Sequence, residues 1–123
     1  MRHYSDRHAG FSLFVSRSNP DVAASLKCAS AIGSEMRKSG FEASGYHAEP
    51  IPGENRPFAD EANGVHYFDN LVVLRTATVS ALLFEAGVIV NRDEELRMRD
   101  LTVRQRIAGA ITAAAVVAST RAR

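Results

Sequence analysis

The chain has 123 residues, with 15 Lys and Arg against 14 Asp and Glu for a formal net charge of +1. That length supports one domain with a real core. The near-cancelled charge leaves no long-range field to draw in nucleic acid or an anionic membrane surface, and the single cysteine, Cys28, excludes an intrachain disulfide and a cysteine-built zinc cluster.

The first residues, Met-Arg-His-Tyr-Ser-Asp-Arg-His, contain no apolar stretch of the kind a signal peptide needs. Residues 1–9 and 119–123 are predicted to fray around a single domain spanning 1–123. Phe11, Leu13 and Val15 alternate with Ser12, Phe14 and Ser16, which predicts a strand covered mainly on one face. Asn19-Pro20-Asp21 supplies an N-cap, a proline at the first helical position and an acid in the first turn, and Gly40 follows the last periodic residue. The helix between them carries a stripe of Val22, Leu26, Ala29, Ile32 or Gly33, and Met36. Cys28 falls beside Ala24, Ala29 and Ile32 and reads as a small core residue.

Residues 41–70 show no sustained period and contain Pro50, Pro52 and Pro57. A loop of that length inside one domain is more often functional than idle, and its segment from His47 to Arg56 gathers Glu49, Glu54 and Arg56 around those prolines. Leu71-Val-Val-Leu74 is predicted as a short buried strand, and Ser80 to Asn91 as a second one. Asn91-Arg-Asp-Glu94 and Thr102-Val-Arg-Gln105 each have the cap-x-x-Glu/Gln pattern that opens a helix. The last helix presents Val103, Ile107, Ile111, Ala114 and Val117 at helical spacing. The alanine-rich run at 108–118 is too short to span a bilayer, which needs about 20 strongly apolar residues.

Glu85 is out of place in this pattern. Apart from Glu85 and Asn91, every residue from Ser80 to Asn91 is apolar, small or glycine, so the run reads as a strand buried on both faces, where an ionised carboxylate is disfavoured unless paired. Two roles are open: a strand-end residue that has reached solvent or pairs with an arginine such as Arg75, or a general base at the carboxyl end of a parallel strand, where open α/β sheets form their crevices.

Leu83-Phe-Glu-Ala-Gly-Val-Ile-Val-Asn91, followed by Arg-Asp-Glu-Glu and a helix containing Arg106-Ile-Ala-Gly-Ala-Ile111, resembles the carboxy-terminal signature of zinc-dependent N-acetylmuramoyl-L-alanine amidases. In these cell-wall hydrolases a Val-Glu-x-Gly-Phe-x-x-Asn element carries the catalytic glutamate. Upstream, Gly10-Phe-Ser-Leu-Phe-Val-Ser16 is similar to the family's Gly-x-x-x-Tyr-x-Leu-Ser strand, and Asn63-Gly-Val65 with Leu71-Val-Val-Leu74 to its Arg-Gly-Val-Lys and Val-Leu elements. The chain departs from the pattern at Ser80 (proline in the family), Val88 (phenylalanine) and Asn63 (arginine). It also lacks the Gly-His-Gly and Ser-x-His-x-Asp elements that, with a Glu, bind zinc; these would lie upstream of Met1.

The resemblance implies an α/β domain with a mostly parallel sheet sandwiched by helices, without the amino-terminal strands of the full amidase domain. It implies Glu85 as general base in hydrolysis of the amide between N-acetylmuramic acid and L-alanine. From the residues of the 47–56 loop, not from the resemblance, Arg56 is a candidate clamp for a stem-peptide carboxylate and His47 a candidate substrate-binding residue, the alternative being an internally bonded surface segment. Zinc belongs to the complete domain and is expected not to be bound by this chain alone. His3, His8, His47 and His66 contain no pair at the i, i+4 spacing of a dedicated zinc helix. The partner the resemblance implies is peptidoglycan or a muropeptide, with no nucleic acid and no membrane insertion expected, and the location it implies is the bacterial periplasm or cell envelope. An open edge on the strand at 10–16 or on the Leu71 strand would invite self-association. The alternatives are a metal-free peptidoglycan-binding or regulatory relative and an inactive remnant.

Overall fold

The computed structural model describes residues 9–44, 56–87 and 92–121. At its centre lies β1 (Ser12–Val15), buried along its whole length. It is flanked in a four-stranded sheet of order β2-β3-β1-β4 by β3 (Val65–Tyr67) on one side and β4 (Leu83–Glu85) on the other, with β2 (Phe58–Asp60) outermost beside β3. β1 and β3 are parallel, with Leu13 opposite Val65, whereas β4 runs antiparallel to β1 and β2 antiparallel to β3. The sheet is therefore mixed, not mostly parallel.

Alternation along β1 decides what each face does. Phe11, Leu13 and Val15 point into a core completed by Val65 of β3, by Ala29, Ile32 and Met36 of α1 (Val22–Lys38), and by Ile107, Ala110 and Ala114 of α4 (Leu101–Arg121). α1 and α4 thus cover one face of the sheet. Ser12, Phe14 and Ser16 belong to the other face, together with His66, whose ring lies 5.5 Å from that of Phe14.

α1 has the predicted stripe but a shifted start. Asp21, not Asn19, is the N-cap, its carboxylate accepting from the Ala24 amide. Gly40 takes φ +91 just past the helix, a left-handed geometry that glycine reaches without strain. Arg106 of α4 donates to the Ser39 carbonyl at the same helix end. On α4 the buried stripe runs through Ala110 where Ile111 was expected; Ile111 is 36% exposed. Its cap is Asp100, whose carboxylate accepts from Thr102 N and whose carbonyl accepts from Arg104 N, so Thr102 is inside the helix instead of capping it.

Two further expectations change. Leu71-Val-Val-Leu74 is not a strand: residues Val72–Thr76 form the short helix α2, in which only Leu74 is buried while Val72 and Val73 face outward. A short apolar run has too few residues to distinguish one turn of helix from a strand. The loop at 41–70 also contains structure, because β2 and β3 form a hairpin around Asn63-Gly64 with Gly64 at φ +70. That dipeptide is a strong hairpin signal. The edge predicted at 10–16 is interior, and among the described residues the outer strands are β2 and β4.

Gly33 of α1 is where this hairpin docks. A β-carbon built there would sit 2.0 Å from the Asn63 carbonyl oxygen, a backbone atom that can move only with its whole turn. Gly33→Ala gains about 1 kcal/mol of helix propensity but imposes an overpacking cost of about 1–3 kcal/mol or more. The net expectation is a destabilisation of about 2 kcal/mol, read as a lower urea midpoint at unchanged slope; a midpoint at or above wild type would show that the turn yields freely.

Candidate functional site

β4 is short, and among the described residues it pairs only with β1 and so lies at the sheet edge. Glu85 stands opposite Ser12, Phe84 opposite Leu13, and Leu83 opposite Phe14. Phe84 packs against the core, so by alternation Leu83 and Glu85 belong to the other face, with Ser12, Phe14 and His66. Leu83 is 43% exposed and Glu85 only half-buried. The expectation of a parallel strand buried on both faces is therefore corrected on both counts. An apolar run looks the same in sequence whether it fills a central strand or an edge strand continuing into coil. The Ser12 hydroxyl across from Glu85 is buried without a hydrogen-bond partner among the described residues.

The chain leading into β4 is tethered to the start of α1. Asn19, 4% exposed, donates from Nδ2 to the carbonyls of Leu74 and Val79, both at 3.0 Å, while its Oδ1 accepts from Asp21 N at 2.9 Å. Ser25 Oγ, one turn along α1, accepts from Ala81 N at 3.0 Å. These two polar side chains fix the 74–81 segment and hence the register in which Glu85 meets Ser12.

At the same end of the sheet, on the core side of β4, is a cleft of about 400 Å³ bounded by Gly10 and Phe11, by Phe41 and Glu42, by Ala86, and by α3 (Arg92–Arg99); Ala86 lines it and Glu85 does not. Glu94 of α3 is buried and accepts a hydrogen bond from Gly10 N, joining this helix to the start of β1. A β-carbon on Gly87 would come within 3.3 Å of the Glu94 carboxylate. Phe41 lies under two guanidinium groups, Arg97 at 5.3 Å and Arg106 at 4.9 Å from its centroid, which ties α3 and α4 to this wall.

Arg56 is on the same face as Glu85 but at the opposite end of the sheet. Its guanidinium lies 4.0 Å over the Phe68 ring, and Phe68 packs edge-on against Phe14 at 5.8 Å. Phe68 lies two strands over from β4 and four residues beyond Gly64, which is level with Ser12, so Glu85 and Arg56 are roughly 16 Å apart at standard sheet spacings. The structure does not bring these two residues together. His47 lies outside the described residues, as do His3, His8 and Asn91. Asn19 and Glu94 are the residues whose roles the sequence did not disclose. Each falls in a local helix-start pattern, and both bond to chain far away in sequence.

A zinc site of the kind the resemblance implies needs three protein ligands and an open position. Among the described residues no group of three His, Cys, Asp or Glu is placed to hold a metal. Nδ1 of His66 is 3.1 Å from the Arg56 carbonyl, and because that oxygen can only accept, Nδ1 carries the proton. The described residues do not fit a zinc centre.

Comparison with known proteins gives a family match over residues 3–116, to the model described as N-acetylmuramoyl-L-alanine amidase. No curated protein matches the chain. Among solved structures, the N-acetylmuramyl-L-alanine amidase of Mycobacterium smegmatis superposes with a TM-score of 0.73 at 18% identity, over 95% of this chain and 50% of that one. The apo form of the Mycobacterium abscessus enzyme gives 0.72 at 17% identity, over 95% and 51%. The CwlD amidase of Clostridioides difficile, solved in complex with the GerS lipoprotein, gives 0.66 at 17% identity, over 97% and 51%. The chain thus spans about half the length of the solved amidases it matches, which share its fold. With the family match covering nearly all of its residues, the chain belongs to the N-acetylmuramoyl-L-alanine amidase family.

Proposed function

We propose that the chain contributes to a peptidoglycan amidase acting at the cell wall, and that Glu85 is its general base. The observation that carries this proposal is the position of Glu85: half-buried at the last position of β4, in the family-like element Leu83-Phe-Glu-Ala-Gly, with the next residue, Ala86, in the wall of a cleft of about 400 Å³. From there its carboxylate takes a proton from the attacking water and passes it to the amine that leaves as the free amino terminus of L-alanine. Ser12 stands opposite it across the β1–β4 pair, and the Asn19 and Ser25 tethers keep the strand in that register. Zinc, where the family uses it, supplies polarisation of the scissile carbonyl. Among the described residues no group is placed to hold it. None of the described helices is long and apolar enough to cross a membrane.

The test follows release of stem-peptide amine from a muropeptide by the full gene product. Amine release that depends on Glu85 is the expected result. Muropeptide binding with no release under any metal supplement would remove the catalytic proposal and leave the metal-free binding relative. Residues 1–123 on their own are expected to release little or none.

A further inference from the structure

β4 ends at Glu85, and the next rung of its ladder shows why. The amides of Phe11 and Leu13 are spent on the far side of β1, donating to the carbonyls of Glu42 and Gly64 at 2.9 Å each. Backbone groups alternate sides along a strand, so Ser12 and Phe14 turn theirs toward β4, and the residues opposite, Glu85 and Leu83, complete the hydrogen-bonded pairs of the ladder. By the same alternation the next such pair would be Gly10 with Gly87.

Glu94 stands at that rung instead. This side chain of α3 is only 7% exposed, and its Oε1 accepts from Gly10 N. Its Oε2 would lie 3.3 Å from a β-carbon on Gly87. The carboxylate thus fits between the two chains where their direct pairing would continue, and there Gly10 leaves the extended region, at φ +99. The Ser12 pair fixes Glu85 from one side. From the other, the aim of the Glu85 side chain depends on where Ala86 and Gly87 leave the sheet.

We infer that Glu94 is a positioning residue for Glu85: by taking the Gly10 amide it ends the β1–β4 ladder at Glu85 and sets the path of the chain that follows the base. The inference rests on the proposed general-base role of Glu85 and adds what aims that base. Without an acceptor from position 94, Gly10 N is released to pair with the Gly87 carbonyl, the ladder lengthens by one rung, and Glu85 becomes an interior residue of its strand. Displacement of a catalytic group on the order of 1 Å is enough to cost about 10²-fold.

Steady-state amine release from a muropeptide by the full gene product tests this with E94Q, E94D and E94A. E94Q retains an oxygen at the same reach and is expected to keep kcat within about threefold of wild type. E94A lacks the acceptor and E94D withdraws it by one methylene; both are expected to lose about 10–100-fold in kcat with KM within about twofold. E94A added to E85Q is expected to match E85Q alone within about threefold, because a residue that acts through the base then has nothing left to aim. A loss in E85Q equal to the loss in wild type would mark a merely structural role and overturn the inference. So would near-normal kcat in E94A and E94D, a change confined to KM, or an E94Q as slow as E94A. Loss of the native circular dichroism in both E94A and E94D would also overturn it, since Glu94 would then serve the fold alone. E85Q by itself reads the base: release at the wild-type rate would remove the general-base proposal and this inference with it, whereas a slow E85Q beside any of the other adverse results removes only the role of Glu94.

Discussion

Replacing Glu85 by glutamine is expected to lower the rate of stem-peptide release by the full gene product about 10²–10⁴-fold, the contribution typical of a positioned general base. Glutamine has the same shape and keeps one oxygen acceptor, but cannot carry the proton from water to amine. Because Glu85 is only half-buried on an edge strand, stability should change by about 1 kcal/mol or less, and a urea midpoint close to wild type would confirm that the lost rate is chemical. Glu85→Asp adds a geometric check. It retains the base but withdraws it by one methylene, and displacement on the order of 1 Å is enough to cost about 10²-fold. If E85Q instead unfolds the protein while its folded fraction cleaves at the normal rate, Glu85 is a structural ion-pair partner and the base lies elsewhere.

How much of this was legible beforehand follows from the distance over which each feature is decided. β1, α1 and α4 were readable because their buried stripes repeat at 2 and 3.6 residues, and the repeat is written locally. Even there the errors are informative. Asn19 is as good a cap residue as Asp21 by type, and what recruits it elsewhere is the pair of carbonyls at Leu74 and Val79. On α4, Ala110 takes the core position expected of Ile111, which a one-residue turn of the helical stripe is enough to exchange.

The hairpin at β2 and β3 was missed although Asn63-Gly64 announced a turn, because three-residue strands give alternation too little length to register. β4 occupies three residues, Leu83–Glu85, within the apolar run from Ser80 to Asn91, and differs from the expected strand in direction and burial. Hydrophobicity in its run reports apolar surroundings, not which neighbour supplies them. The site divides in the same way. Glu85 stood out as a carboxylate in an apolar run, whereas the pairing of Arg56 with Phe68 and the reach of Glu94 to Gly10 depend on contacts across the fold.

Asn19→Ala is expected to be the most damaging of the polar truncations, and the reason lies in what it leaves behind. Removing the amide strips the Leu74 carbonyl, which is bonded in a buried position, and also the partly buried Val79 carbonyl and Asp21 N–H. A buried group left without a partner costs about 1–3 kcal/mol, while the two that water can reach cost less. The sum is about 3 kcal/mol, a large share of the roughly 5–15 kcal/mol that a domain has in total. Asn19→Asp should not rescue it: the acceptor for Asp21 N survives, but both donors are lost and a negative charge then faces two carbonyl oxygens. Ser25→Ala cuts the second tether to the same segment. Because both variants release residues 74–81, their effects should fall short of additivity by about 0.5 kcal/mol or more in a double-mutant cycle. Amide exchange at Phe84 and Glu85 should quicken in N19A at denaturant concentrations where the amides of α1 remain protected, since β4 would lose its anchor while the α1–α4 core stays packed. If N19A costs less than about 0.5 kcal/mol and leaves β4 exchange unchanged, the bridge to Leu74 and Val79 does not hold the strand, and the register of Glu85 against Ser12 is set by the packing of Phe84 alone.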